Sequence, residues 1–192
     1  MKIILLMGFT ASGKTTLGNL LASYLKCPFI DMDNEITKKV NMSVRAFYKK
    51  HGKKVFQDIE FSVLKEICNL KNIDMMIVSA GGGLIENNLA RNLIKTLLSN
   101  TEILKVFFLH VSKKILFKRV SSKSKKEHSF PAFLQEAYNN QMNIKTQLKY
   151  AKHQFYKIYK KRMKLQREIN AVKIRVRKLK PKKIVKIMAS MS

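Results

Sequence analysis

The chain has 192 residues, 46% of them hydrophobic and 27% charged, which suits one domain with a sizeable core and excludes a disordered chain. No apolar run approaches the ~20 residues that a bilayer span needs, and two cysteines, Cys27 and Cys68, form no metal-site pattern and fit buried thiols in a cytosolic protein. The net charge of +27 is lopsided: residues 103–192 carry 25 Lys and Arg against 3 Asp and Glu, whereas residues 1–102 carry 14 against 9.

Lys2-Ile3-Ile4-Leu5-Leu6-Met7 is an uninterrupted apolar run, as expected of a strand buried on both faces. It leads straight into the next motif without a small-residue cleavage site, so no signal peptide is expected. That motif is Gly8-Phe9-Thr10-Ala11-Ser12-Gly13-Lys14-Thr15, which has the phosphate-binding spacing of Gly, four free positions, then Gly-Lys-Thr. Glycines bring backbone N–H groups against phosphate oxygens. Lys14 supplies positive charge to the β- and γ-phosphates, and the Thr15 hydroxyl can ligate Mg²⁺. Leu17, Leu20, Leu21 and Leu25 then recur at helical spacing, so the loop joins a strand to a helix whose positive end faces the ligand. This pattern implies a nucleoside triphosphate.

Pro28-Phe29-Ile30-Asp31 reads as a short second strand, with Asp31-Met32-Asp33 where it gives way to a helix. In a parallel α/β sheet ligands bind at strand carboxyl ends. One carboxylate there can orient Mg²⁺ and the other accept a hydroxyl proton, although Asp33 could also simply cap the helix starting near Asn34. Residues 43–51 read as a short helix capped by Ser43. Phe56, Ile59, Val63, Ile67 and Leu70 mark a further helix from Lys53. Met75 to Ser79 reads as a third strand that ends in Ala80-Gly81-Gly82-Gly83, glycines that make sense where backbone must approach a ligand closely and equally fit a tight turn. Asn87 to Leu98 reads as a helix and Ile103 to Leu109 as a fourth strand. A helix carrying Leu116 and Arg119 follows, running into the polar stretch Ser121–His128, which has the composition of a lid or of a solvated loop. Phe133 to Arg167 is expected to be one long basic helix, Ala171 to Arg177 a fifth strand, and Pro181 the start of a last helix. The expected organisation is a single domain over residues 1–192, with a lid at about 120–135 and a basic helical part at about 133–192. The basic half can attract nucleic acid weakly and non-specifically, but its charges lie along helices without interleaved aromatic platforms, as composition bias alone would leave them.

Together these residues resemble the shikimate kinase family of small phosphate-loop kinases. The matching segments are Gly8–Thr16, Asp31-Met32-Asp33, Gly52-x-x-x-Phe56-x-x-x-Glu60 and Ser79-Ala80-Gly81-Gly82-Gly83. Weaker matches are the lid-like Phe130-Pro131-Ala132-Phe133-Leu134, the late Arg162-x-x-Leu165 and the ending around Leu179 to Val185. The resemblance implies an α/β fold with a five-stranded parallel sheet in the order 2-3-1-4-5. It also implies a cytoplasmic, monomeric enzyme of aromatic amino acid biosynthesis that uses ATP and Mg²⁺ to phosphorylate shikimate. Another hydroxylated metabolite as acceptor, or a non-catalytic nucleotide-binding protein with an RNA- or partner-binding basic half, are the alternatives.

By the same resemblance Gly8, Ala11, Ser12, Gly13, Lys14, Thr15 and Thr16 bind nucleotide, and Arg119 stacks near adenine. Thr15 and Asp31 hold the metal, and Lys14 and Asp33 are catalytic, Asp33 as the base. Asp33, Gln57, Gly81, Gly82, Gly83 and Arg162 line the acceptor site. Three positions depart from the family pattern: Gln57 and Phe130 stand where it carries arginines, and Gln166 where it carries tyrosine. Gln lacks the charge of a bidentate guanidinium and Phe lacks charge and donor alike. Each lost charge-assisted contact is worth ~1.5–3 kcal/mol. Lys123, Lys125 or Lys126 can replace the lid charge.

Overall fold

The computed structural model describes the chain except residues 101, 128–130, 132, 135–142 and 177–179, and the side chains of 125–127 and 144. Phe130 and the middle of the lid-like segment, the side chains of Lys125 and Lys126, and Leu179 therefore lie outside the described residues.

Strand β1 (Lys2–Gly8) is central because its apolar run leaves no face for water: Ile3 to Met7 are all buried. It pairs in parallel with β3 (Met75–Ser79) on one side and β4 (Leu104–His110) on the other. Strand β2 (Phe29–Asp31) adds outside β3 and β5 (Val172–Arg175) outside β4, giving the five-stranded parallel order 2-3-1-4-5. Strand side chains alternate between faces, and the core divides accordingly. Ile3, Leu5 and Met7 pack with Met32, Val63, Ile94 and Phe155, whereas Ile4 and Leu6 pack with Leu17, Leu21, Ile184 and Met188. Helices α1 (Lys14–Leu25) and α7 (Pro181–Ala189) cover the second face. The first is covered by α2 (Met32–Val40), α3 (Val44–Cys68), α4 (Asn88–Leu98), α5 (Lys113–Glu127) and α6 (Ile144–Gln166).

Local chemistry sets most boundaries. Ser43 caps α3 by accepting from the Ala46 N–H, and Asn87 caps α4 by accepting from Ala90. Within α3 the chain turns at Gly52 (φ 76°, ψ −179°), so residues 44–51 and 53–68 are two helical arms, as the pattern predicts. Only glycine enters that conformation without strain. The second strand ends at Asp31, which, rather than Asp33, is the N-cap of α2: its carboxylate accepts from the Asp33 N–H at 3.0 Å.

Three expectations of extent are revised. The polar stretch expected to open the lid continues α5 as far as Glu127, because serine and lysine suit a solvated helix face; the Ser121 hydroxyl donates back to Lys118 O at 3.1 Å. The long basic helix starts not at Phe133 but at Ile144, where Asn143 caps it by accepting from the Thr146 N–H; Phe133 and Leu134 sit in a separate 3₁₀ turn. Strand β5 spans Val172–Arg175 and starts one residue later than expected, since the Ala171 N–H turns back to Ile169 O instead of joining the ladder; Arg177 lies outside the described residues.

Candidate active site

The carboxyl ends of β1, β2 and β3 lie side by side, with Asp31 and Leu6 both in register with Ser79. That edge gathers the loop after β1, the acids after β2 and the glycines after β3. In the loop, Ala11 and Gly13 have positive φ (64° and 96°), which bends the backbone around a concave cradle of the kind that binds anions. The chain then enters α1 at Lys14 with no side-chain cap on its first N–H groups, leaving them for a ligand. Ser12 is fully buried and its Oγ has no hydrogen-bond partner.

Lys14 Nζ donates to Gly8 O and Phe9 O, each at 3.0 Å, so its amine is held over the loop. Burial lowers its pKa to about 8, against the pull of Asp33 and Asp31, while Arg162 lowers it further. The Thr15 hydroxyl donates to Asp31 Oδ2 at 2.8 Å. A hard oxygen pair at the mouth of a phosphate cradle is a donor set suited to Mg²⁺. Thr16 is exposed on the first turn of α1. Arg119, on α5, donates to Ala11 O at 3.0 Å and so lies against the loop.

Beyond the loop opens a cleft of about 950 Å³ lined by Thr10, Asp33, Gln57, Glu60, Gly81–Gly83 and Arg162, among others. Its floor explains two glycines sterically. An added Cβ on Gly82 would lie 2.9 Å from the Thr10 backbone N, and one on Gly81 would lie 2.9 Å from Glu60 Oε1 and 3.1 Å from Asp33 Oδ1. Gly81 and Gly82 are thus pressed first against the protein's own acids and loop. Gly83 meets nothing nearer than the Arg162 guanidinium at 3.5 Å. Burial and the neighbouring Asp31 charge raise the Asp33 pKa, and Lys14 partly offsets them.

Arg162 is 5% exposed although it carries a full charge, because its partners satisfy it. Its Nε donates to Glu86 Oε1 at 2.7 Å and its Nη1 to Gly82 O at 2.8 Å, while its guanidinium lies 5.0 Å from the centre of the Phe133 ring. Glu86 also accepts from Lys53 at 2.8 Å and Lys161 at 3.1 Å. Its burial alone would raise its pKa; the Arg162 charge and the three donors outweigh that and bring it to about 2. Gln57 lines the cleft, and its backbone carbonyl accepts from Asn87 Nδ2 at 2.6 Å.

The structure therefore brings Lys14, Asp31, Asp33, the three glycines, Gln57 and Arg162 to one sheet edge, with Arg119 against the loop. Sequence reasoning missed Glu86 as the anchor of three cations, and it took Glu60 only as part of a motif. The signal for Glu60 was present: it occupies an apolar position of the stripe Phe56, Val63 and Ile67, where an acid is out of place unless it has a task.

The model of the shikimate kinase family matches residues 10–191. Shikimate kinase from Aquifex aeolicus is 40% identical over 93 residues, covering 48% of this chain and 54% of the relative. The enzyme from Enterococcus faecalis is 32% identical over 121 residues, covering 63% and 66%. The chain thus spans about half to two thirds of the length of the curated relatives it matches. Among solved structures, shikimate kinase from Acinetobacter baumannii in complex with shikimate superposes with a TM-score of 0.78 at 22% identity, over 100% of this chain and 92% of that one. The Aquifex aeolicus structure gives 0.68 at 25% identity, over 98% and 95%. With a family model matched across nearly its whole length and the sheet order that the family implies, the chain belongs to the shikimate kinase family.

Proposed function

We propose that the protein is an ATP- and Mg²⁺-dependent kinase that transfers the γ-phosphoryl group to a hydroxyl of shikimate, releasing ADP. The observation that carries this reading is the meeting of three groups at one cleft: the Lys14 amine over the loop, the Asp33 carboxylate beside Gly81, and the Arg162 guanidinium fixed by Glu86 and Gly82 O. The loop N–H groups and Lys14 bind the phosphates and neutralise charge that shifts onto the leaving oxygen. Thr15 and Asp31 would hold Mg²⁺, which supplies further charge neutralisation when bound. Asp33 orients the acceptor hydroxyl and takes its proton as the oxygen attacks phosphorus. Its raised pKa makes it a better base than an ordinary aspartate. Arg162, Lys53 and Lys161 around a single Glu86 leave that end of the cleft positive, as the carboxylate of an acid substrate requires.

Among the described residues no helix is long and apolar enough to cross a membrane. We infer a cytoplasmic monomer organised as one domain, and weak, sequence-indifferent nucleic-acid binding by the basic half as a by-product of its charge. ADP release by purified protein is the test: it is expected to rise on adding shikimate with MgATP. Silence with shikimate but turnover with another polyol, sugar or nucleoside would replace the acceptor.

A further inference from the structure

The phosphate loop and the acceptor cleft share one side chain to which the proposed mechanism gives no task. Of the loop residues 8–16, Thr10 is the one that lines the acceptor cleft, together with Asp33, Gly82 and Arg162. Local chemistry fixes it there. The Ser12 N–H donates to Phe9 O at 3.1 Å, closing a turn with Thr10 and Ala11 at its corners, and the positive φ of Ala11 (64°) suits the third position of such a turn. The flanks of the turn are tied down. Phe9 is buried with its ring stacked on Tyr159 at 4.6 Å, Lys14 Nζ donates to Phe9 O, and Arg119 donates to Ala11 O.

On its other side Thr10 meets the glycines after β3. A Cβ on Gly82 would lie 2.7 Å from Thr10 Oγ1, so the hydroxyl keeps its place only against a glycine. Gly82 is itself held by Arg162, whose Nη1 donates to its carbonyl at 2.8 Å. The Thr10 hydroxyl thus sits at the seam between two fixed pieces. It is half-buried, and among the described residues it makes no hydrogen bond, so its proton is free for a ligand.

We propose that Thr10 is a further catalytic residue, whose hydroxyl donates a hydrogen bond to an oxygen of the γ-phosphoryl group as that group passes from the loop to the acceptor. Transfer carries the group from the Lys14 side of the seam to the Asp33 side, and Thr10 faces both. The Lys14 amine lies 3.0 Å from Phe9 O, the carbonyl of the peptide bond that leads into Thr10. Cation and hydroxyl are therefore mounted on one turn and address the same phosphoryl group. Charge spreads over the equatorial oxygens in the transition state, and a donor already fixed beside one of them needs no reorganisation. The β-branched side chain has few rotamers to lose in holding that position. Thr10 keeps its proton throughout, and no bond to its oxygen forms or breaks.

This inference rests on the proposed kinase reading, and two readouts on the full chain separate their failures. The first needs no turnover. Calorimetry with Mg²⁺ compares ADP with a non-hydrolysable ATP analogue, which differ by the γ-phosphoryl group. Thr10→Val keeps the shape without the donor. It is expected to bind the analogue about three- to tenfold more weakly and ADP as tightly as the wild type does. The second readout is kinetic. In Thr10→Val the kcat for shikimate phosphorylation is expected to fall about 10–100-fold, the effect of one hydrogen bond to a charged oxygen, with the KM for shikimate little changed. Thr10→Ser, which retains the hydroxyl, is expected to recover most of both losses. Selective weakening of the analogue, in a protein whose wild type leaves shikimate unphosphorylated, would sink shikimate as acceptor and leave the γ-phosphoryl contact standing. Wild-type behaviour of Thr10→Val, equal losses for ADP and the analogue, a raised KM for shikimate in place of the lowered kcat, or a Thr10→Ser variant no better than Thr10→Val would overturn the proposal.

Discussion

The two halves of the site are built in opposite ways. The nucleotide half is one continuous segment, Gly8 to Thr16, whose geometry follows from a strand, a turn of alternating hand and a helix start. The acceptor half is assembled from α2, the second arm of α3, the turn after β3 and α6. Arg162 and Glu86, its partner, are 76 residues apart in sequence. A local device depends on few residues and tolerates little change in any of them. A non-local one can exchange ligands as long as its charge and shape survive, and Gln57, where the resemblance leads one to expect arginine, lines that side of the cleft. The halves meet where Gly82 presses on Thr10 and Gly81 on Asp33 and Glu60.

The largest effect is expected in the local half. Lys14→Ala removes the positive charge over the loop, and turnover is expected to fall at least about 10³-fold, since charge at the transferring phosphoryl group has few substitutes. ATP affinity, followed by calorimetry with Mg²⁺, is expected to be lost with it, while the fold survives because the amine bonds only to loop carbonyls. Tight ATP binding by the variant would dissolve the contrast between the halves.

Asp33→Asn probes their junction. The amide keeps the shape and cannot take a proton, so kcat is expected to drop ~10²–10⁴-fold with ATP affinity nearly unchanged. Turnover within a few-fold of the wild type would mean that Asp33 only shapes the cleft. Asp33 does not cap its helix, because Asp31 does, so this outcome would leave it without a named task.

The same division governs what the sequence makes legible. The strands themselves, the loop and Asp31 with Asp33 follow from periodicity and a compact motif, because each is set by neighbours within one turn or one strand, whereas the strand order rests on the family resemblance alone. Glu86 was not found, because its role depends on Lys53, Lys161 and Arg162 converging from two other helices; no local pattern records that meeting. The start of α6 lies eleven residues beyond the expected Phe133 for a related reason: Phe133, Leu134 and Ile144 all suit a helix, and a single cap, Asn143, decides where it begins. Helix α5 was ended early because a run of serine and lysine reads as loop, whereas backbone hydrogen bonding continues through it.

A smaller effect, of gain rather than loss, is expected in the acceptor half. Gln57 lines the cleft on the arm of α3 that also carries Lys53 and Glu60. An arginine there would add a planar, charged fork for the substrate carboxylate. Gln57→Arg is expected to lower the KM for shikimate about tenfold, the worth of one charge-assisted hydrogen bond in a half-dry pocket. The comparison sharpens if kcat hardly moves, for a carboxylate grip acts equally on ground and transition states. An unchanged KM would show that Lys53, Lys161 and Arg162 already saturate that charge.

The smallest effect concerns the basic C-terminal half, which the catalytic cleft uses only in part. Its charge guarantees some attraction for a polyanion, but sequence-tolerant binding of single strands also needs free aromatic faces for bases to stack on. Tyr156, in the midst of the lysines of α6, has its ring already covered by Lys113 at 4.8 Å and Lys152 at 5.8 Å. Fluorescence anisotropy with a short single-stranded RNA is therefore expected to show weak binding at low salt. It should disappear near physiological ionic strength, with a steep logarithmic salt slope because counterion release is the main driving term. Neutralising the Lys and Arg residues between Lys149 and Lys183 is expected to flatten that slope and leave ATP binding intact. Affinity that persists at physiological salt, or that discriminates between RNA sequences, would mean that this half carries a recognition surface of its own.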